Sequence, residues 1–334
     1  MADEDERGAR LWAMADLATP MAVRVAATLR IADHITRGLC TAQDLAGAVN
    51  ADADVLDRVL RHLATVEVLS RDASGRYALT ARGEVLRDDH PAGLRRMLDS
   101  ESAIGRADLS FVQLLHSVRT AEPAFPMQFD RSFWDDLSAD PARSASYDAQ
   151  MGADVAADAS AIVAAYDWGS LGYVVDVGGG NGALLTAMLR EYPTLRGTVL
   201  DLPETAEAAR KSLTAAGFAG RGDVVPGSFF DPLPAGAGGY LLSAILHNWD
   251  DEAARAILRR CAQAAGTDGT VFVVEKIGAD GESLRTGMDL RMLAYFGGRE
   301  RGVAELAALA ETSGLRVVAV HPAGDLAIVE LTAL

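Results

Sequence analysis

An α/β fold with a parallel sheet, preceded by a mostly helical domain, is the expectation for this 334-residue chain. Three observations carry it. From Tyr173 onward, short apolar runs of β-formers alternate with helical stretches, the pattern of parallel strands joined by crossover helices. The segment YVVDVGGGNG (residues 173–182) is a buried-strand run followed at once by three glycines and the start of a helix. Up to about Trp168 the pattern is helical apart from two short β runs. The divide implied is a helical domain over residues 1–168 and a sheet domain over residues 169–334.

Within the first domain, residues 11–35 are rich in Ala, Leu, Val and Met, with Pro20 interrupting them. Thr41 can cap a short helix over residues 42–48, with Asp44 three residues on. Residues 54–66 read as a second helix, on which Val55, Val59, Leu60 and Leu63 share an apolar stripe. Two β runs follow, residues 66–70 and 76–79, joined by the turn DASG. Helix, helix and hairpin in this order make a winged-helix module. Across residues 41–89 nine acidic residues face six arginines, a net of −3. That field suits a dimerisation scaffold better than a helix reading phosphates. Residues 91–98 and 103–118 are expected helical, 123–130 a loop, and 141–166 a long Ala-rich helix.

Within the second domain, the strand 173–177 and helix 181–192 are followed by strands at 198–200, 223–225, 240–246 and 270–275. Helices are expected at 204–215, 251–265, 283–295 and 303–312. Two β runs, 316–321 and 326–331, close the chain as a hairpin-like pair linked by PAGD.

Composition excludes several classes of function. Hydrophobic residues are 49% of the chain, but no run approaches the ~18 uninterrupted apolar residues of a membrane span. The opening MADEDERGAR is acidic and lacks an apolar segment, so no secretory signal is expected. Cys40 and Cys261 share no metal-type spacing and read as reduced thiols of a cytoplasmic protein. A net charge of −16 argues against a nucleic-acid partner, because phosphate contacts need a basic face.

The glycine-rich turn brings bare backbone N–H groups and a helix N-terminus up to a ligand. Gly178, Gly180 and Ala183 satisfy the looser dinucleotide fingerprint. Two features favour a different nucleoside. Asp176 precedes the first glycine by two residues, where it would repel a pyrophosphate and attract the ammonium of an amino-acid ligand. The spacing is also G-x-G-x-G. Both suit S-adenosylmethionine better than NAD.

Asp201 ends the second strand, where an acid accepts hydrogen bonds from ribose hydroxyls; capping the next helix is its structural alternative. Phe229, after the third strand, can stack on adenine. His247, in SAILHNWDDE, lies past the fourth strand at the ligand-binding edge of such sheets, and imidazole can accept a proton near neutrality. Glu275 closes the next strand at that edge and Glu300 lies in GGRERG. Two carboxylates there would fix the imidazole's tautomer and raise its basicity. Asp250 and Asp251 precede a helix and read as caps, since no carboxylate cluster has metal-site spacing.

In order and spacing, DVGGGNG, DLP, GSFF, LHNWDDE, VVE and GGRER resemble the plant-type small-molecule O-methyltransferases, over nearly the whole chain. Within that family the chain is most similar to the naphthoate O-methyltransferases of enediyne biosynthesis. The terminal hairpin beside five parallel strands is likewise similar to the sheet of class I methyltransferases. The resemblance implies a homodimer formed through the N-terminal domain, S-adenosylmethionine as methyl donor and no metal. It implies that Gly178, Gly180 and Asp201 hold the methionine and ribose parts, and that Phe229 covers adenine. Leu202 and Ser228 are expected beside them, and Ser243 near the sulfonium. Ser228 stands where the family commonly has an acid, and Ser243 where plant members often have Lys. His247 is the implied base, with Glu275 and Glu300 its partners. Trp134 and Tyr147 are expected around the cofactor or the acceptor slot, and Arg10, Met151, Asn248, Leu293, Tyr295 and Phe296 around the acceptor. Arg10 could pair with an acidic group there. The implied reaction is methylation of a phenolic hydroxyl on an aromatic polyketide-type acid. Two alternatives stay open: a relative repurposed for hydroxylation or decarboxylation, and a winged-helix regulator.

Overall fold

A computed structural model describes residues 2–278, 280–283 and 285–334, with side chains from Glu6 onward. The chain packs as two compact units. One runs to Leu109 and takes in Asp140–Ser146; the other comprises Ser110–Ala139 and Tyr147–Leu334. Where composition suggests a divide at residue 168, packing groups residues 110–139 and most of the long helix with the sheet.

In the first unit the apolar stretch 11–35 is broken into three helices, Ala2–Ala15, Ala18–Thr28 and Ile31–Thr36. Pro20 does not interrupt; it lies in the first turn of its helix, where a missing N–H costs nothing. Thr41 Oγ1 accepts the Asp44 N–H (3.1 Å) and caps Ala42–Val49, as expected. The helix Ala53–Thr65 follows, and then β1 (Leu69–Arg71) pairs antiparallel with β2 (Tyr77–Leu79). Leu45, Leu60, Leu63 and Tyr77 form the small core of this module. Leu60 and Leu63 of the expected stripe are buried, whereas Val55 is exposed.

The second unit is built on a sheet of seven strands: β3 (Tyr173–Val177), β4 (Arg196–Asp201), β5 (Gly222–Pro226), β6 (Gly239–Ser243), β7 (Thr270–Glu275), β8 (Leu315–Ala323) and β9 (Leu326–Ala333). Their order is β5-β4-β3-β6-β7-β9-β8; the first five are parallel, and β9 alone is reversed, pairing antiparallel with both β7 and β8. Alternate residues feed two cores. Val175, Val177, Tyr240, Leu242 and Val273 face one. Val174, Leu241, Phe272 and Ile328 face the other. Both faces are covered, so the central strands read as continuous apolar runs. The strand order reverses between β3 and β6, the point where open α/β sheets leave a ligand crevice at their carboxyl edge.

Four local expectations are corrected. Residues 123–130 are not all loop, because Ala124–Phe129 form a helix whose Phe125 is fully buried. The stretch 103–118 is two helices, Ala103–Asp108 and Leu114–Thr120, joined by a 3₁₀ turn. Strand 240–246 stops at Ser243, because Ala244 adopts a left-handed backbone (φ 54°). The last expected helix before 303 begins at Thr286; Leu284 lies outside the described residues.

Candidate active site

The glycine turn follows β3 at its carboxyl end, beside the point where the strand order reverses. Gly178, Gly180 and Gly182 have φ of 73°, 59° and 76°, a region that side-chain-bearing residues rarely adopt. The β3–β4 register sets Val177 beside Leu200, so the turn faces the end of β4. There Asp201 takes the Gly180 N–H on one oxygen (2.8 Å) and the Leu202 N–H on the other (2.7 Å). Asp201 therefore braces the turn, and Leu202 occupies the N-cap of the helix Pro203–Ala215, so the capping alternative for Asp201 is not realised. Burial raises the Asp201 pKa, opposed by the two N–H donors.

Asp176 lies beneath this turn, 2% exposed, and a Cβ on Gly179 would lie 2.5 Å from its carboxylate. Among the described residues, Oδ2 of Asp176 has no hydrogen-bond partner. Burial, reinforced by the charge of Asp201, pushes its pKa up to about 7. An unpaired buried carboxylate is costly, and an ammonium-bearing ligand would satisfy it. The Phe229 ring reaches the same turn, 3.4 Å from where a Gly178 Cβ would stand. Ser228 Oγ accepts the Phe230 N–H (3.2 Å) and shapes that loop. Ser243 ends β6 at the same edge.

The left-handed Ala244 breaks β6 and leads into the 3₁₀ turn Leu246–Asn248, which carries His247. The β6–β7 register aligns Ser243 with Val274, so the next residue of β7, Glu275, lies beside the turn. Nδ1 of His247 is 3.1 Å from Glu300 Oε1 and 3.6 Å from Glu275 Oε2. Glu275 also accepts the His247 backbone N–H (3.4 Å). Both carboxylates are 3% exposed while the imidazole keeps 19%. Burial alone would lower the His247 pKa; the charge of Glu275 and the hydrogen bond and charge of Glu300 outweigh it, and the value is raised. Burial raises Glu275, partly offset by His247. With Nδ1 held by Glu300, Nε2 is the nitrogen left to exchange a proton with a ligand. The three groups are also close enough for a cation, with ligand atoms within 4.8 Å of one another. The His247–Glu300 hydrogen bond accounts for this geometry without one. Asp250 is a cap, accepting the Ala253 N–H (2.8 Å).

An aromatic group adjoins the turn. Trp134 stacks on Phe296 (centroids 5.2 Å, planes 14° apart) and on Trp249 (6.1 Å, 15°). Trp249 in turn meets Phe229 edge-on at 5.8 Å. The rings expected around cofactor and acceptor are thus linked. Tyr147 packs edge-on to Phe133 (5.5 Å) and Trp134 (5.9 Å), and burial raises its pKa. Tyr295 is buried against Phe111 and Phe133, and Asn248 donates its amide to the Ala244 carbonyl (3.4 Å). Met151 and Leu293 are half-buried. Arg10 lies in the other unit, exposed and paired with Glu6.

Two residues escaped the sequence reading. Gly152, inside the long helix Pro141–Ala165, approaches Asn181 of the glycine turn so closely that a Cβ would collide with its amide. Glycine costs about 1 kcal/mol in a helix interior relative to alanine, so its presence there was the available signal. Arg301 is the second: GGRERG draws attention to its glutamate, yet the following arginine is buried.

The chain matches a family model described as an O-methyltransferase domain over residues 111–316, and an O-methyltransferase dimerisation domain over residues 12–89. It is 58% identical over 324 residues to a 2,7-dihydroxy-5-methyl-1-naphthoate 7-O-methyltransferase of Streptomyces carzinostaticus, covering 97% of each chain. It is 42% identical to an aclacinomycin 10-hydroxylase of Streptomyces purpurascens, covering 96% of this chain and 89% of the relative. A crystal structure of an O-methyltransferase from neocarzinostatin biosynthesis, in complex with S-adenosylmethionine and 2-hydroxy-5-methyl naphthoic acid, matches with a TM-score of 0.93. That match is 58% identical in sequence and covers 97% of this chain and 98% of the other.

Proposed function

Because this chain belongs to the O-methyltransferase family, we propose that it methylates a phenolic hydroxyl of a naphthoate-like aromatic acid in secondary-metabolite biosynthesis. The methyl donor is S-adenosylmethionine. The observation that carries this reading is the His247–Glu300–Glu275 group beside the carboxyl ends of β6 and β7.

The residues around the glycine turn fit the donor. The unpaired Oδ2 of Asp176 suits its ammonium, Gly178 and Gly180 admit it to the backbone, Asp201 has lone pairs left for ribose hydroxyls, and Phe229 offers a ring face to adenine. When bound, this donor supplies a methyl group on a sulfonium, an electrophile that needs no acid from the protein. The chain's own task is the acceptor's proton. A phenol has a pKa near ~10 and is a weak nucleophile at neutral pH. His247 Nε2 takes the proton, while Glu300 holds Nδ1–H and keeps Nε2 the accepting nitrogen. Glu275 and Glu300 then stabilise the imidazolium. Trp134, Phe296 and Met151 supply the apolar wall that orients a fused aromatic ring, which can account for several kcal/mol of the acceleration.

The homodimer is supported by the dimerisation-domain match and by Leu11, Trp12 (72% exposed) and Met14 (84% exposed) on the first helix. Arg10, on the same helix, is positioned in this reading to meet the carboxylate of an acceptor held by the partner. No described helix is long and apolar enough to cross a membrane. The free thiols of Cys40 and Cys261 suit a cytoplasmic location.

The hydroxylase relative motivates a second reading, in which the same fold oxidises or decarboxylates its substrate. One experiment separates the two. The protein is incubated with labelled S-adenosylmethionine and a panel of hydroxylated naphthoic, benzoic and anthracycline-type acceptors. Transfer of label to a naphthoate hydroxyl supports methylation, and a hydroxylated or decarboxylated product without label overturns it.

A further inference from the structure

Segment 298–302 is joined to the His247 turn by more than Glu300. A Cβ on Gly298 would collide with the His247 carbonyl oxygen, so the two backbones pass in direct contact. Asp289 accepts the Glu300 N–H (2.8 Å), which fixes where that residue stands. Arg301, its side chain 2% exposed, reaches across both ends of the turn. Nη1 donates to the Leu246 carbonyl (2.8 Å), and Nη2 donates to the Trp249 carbonyl (2.8 Å) and to Asp251 Oδ1 (2.8 Å). Nε also reaches Asp251 Oδ1 (3.2 Å). Leu246 and Trp249 bracket His247 and Asn248. Adjacent residues thus divide the work, with Glu300 holding the ring and Arg301 holding the backbone on either side of it.

We propose that Arg301 is a positioning residue for the reaction: its planar fork locks the Leu246–Trp249 turn so that His247 meets Glu300 in the geometry proton transfer needs. A lysine cannot substitute, because one ammonium cannot span carbonyls at both ends of a turn and a carboxylate together. Burial of a guanidinium is tolerated here because every donor direction leads to an acceptor. The inference rests on His247 acting as the base.

The test compares Arg301→Lys, Asp251→Asn and His247→Ala with the wild-type protein under labelled methyl transfer, each checked for folding by thermal unfolding with S-adenosylhomocysteine. Arg301→Lys is expected to lower kcat roughly ten- to a hundredfold at neutral pH, with the donor KM within about twofold. The loss should shrink as pH rises towards the phenol's own pKa. Asp251→Asn, which removes only the outer anchor, should show the same pH-dependent loss to a smaller degree. Added to His247→Ala, Arg301→Lys should cost little more, since residues acting through one group are not additive. A defect in Arg301→Lys that persists at every pH, or adds fully to that of His247→Ala, makes Arg301 structural and overturns the proposal. If Arg301→Lys does not fold, a wild-type pH profile in Asp251→Asn overturns it. A His247→Ala protein with wild-type turnover would instead remove the base reading itself, and with it anything for Arg301 to position.

Discussion

His247 Nδ1 and Glu300 Oε1 stand 3.1 Å apart although 53 residues separate them in the chain. The bond selects which imidazole nitrogen carries the proton, and so which one can take a proton from an acceptor. It also joins the turn after β6 to the segment before the helix Val303–Glu311.

Removal of the ring should therefore show in turnover and not in donor binding. His247→Ala is expected to lower kcat by about 10² to 10⁴ at neutral pH with unchanged affinity for S-adenosylhomocysteine. Glu300→Gln and Glu275→Gln should each cost less, because they orient the base. Steady-state rates from pH 6 to 10 provide the check. Wild-type turnover in His247→Ala at pH 7 would refute the assignment.

The same group sets the acid limb of the pH profile. Glu275 and Glu300 raise the His247 pKa against the effect of burial, and the base must be neutral to act. Activity should fall as pH drops through a midpoint above ~6.5, the ordinary imidazole value. That midpoint belongs to the coupled set. Glu275→Gln should move it down, and a profile flat to pH 5 would contradict this account.

Asp176 links donor binding to protons. Its pKa of about 7 exceeds the ordinary ~3.9 of an aspartate. Stability from the neutral carboxyl is full below the unfolded value and is lost as pH rises through 7. A bound ammonium favours the carboxylate, so S-adenosylhomocysteine binding near pH 6 should release protons, and affinity should climb up to about pH 7. Calorimetry in buffers of different ionisation enthalpy measures the release. Asp176→Asn should abolish it, weaken binding and leave the ligand-free protein less sensitive to pH.

Gly152→Ala should separate stability from binding. The added methyl raises helix propensity by about 1 kcal/mol but pushes on Asn181, whose Oδ1 accepts the Ala183 N–H (3.1 Å) at the start of the helix after the turn. The melting temperature of the ligand-free protein should hold or rise while donor affinity falls. Unchanged affinity in a titration would show that Asn181 yields freely.

Chelation should have no effect on turnover. The His247, Glu275 and Glu300 ligand atoms are close enough for a cation, but a metal on Nδ1 would displace the hydrogen bond that sets the tautomer. Treatment with EDTA followed by assay in metal-free buffer should retain full activity, and restoration by a divalent ion would reverse the reading.

Local chemistry made much of the site legible in the linear chain. A strand, glycines that tolerate positive φ and a following helix are properties of neighbouring residues, so the turn at Gly178, Gly180 and Gly182 could be read directly. Asp176 and Asp201 followed from strand ends, and His247 and Glu275 from the ends of β6 and β7. Apolar runs marked the strands because both sheet faces are covered. The helix Ala124–Phe129 was hidden, since Pro123 and Pro126 suggest a loop, whereas burial of Ala124 and Phe125 in the fold stabilises it. Tertiary packing alone decided that Tyr295 lies in the core, that Ala244 takes a left-handed conformation and that Gly152 meets Asn181. It alone decided that Arg301 reaches the carbonyls of Leu246 and Trp249. Periodicity and propensity describe what a residue does to its own segment. A guanidinium that satisfies carbonyls some fifty residues away leaves no trace in its own neighbourhood, because the groups it pairs with are brought to it by the sheet.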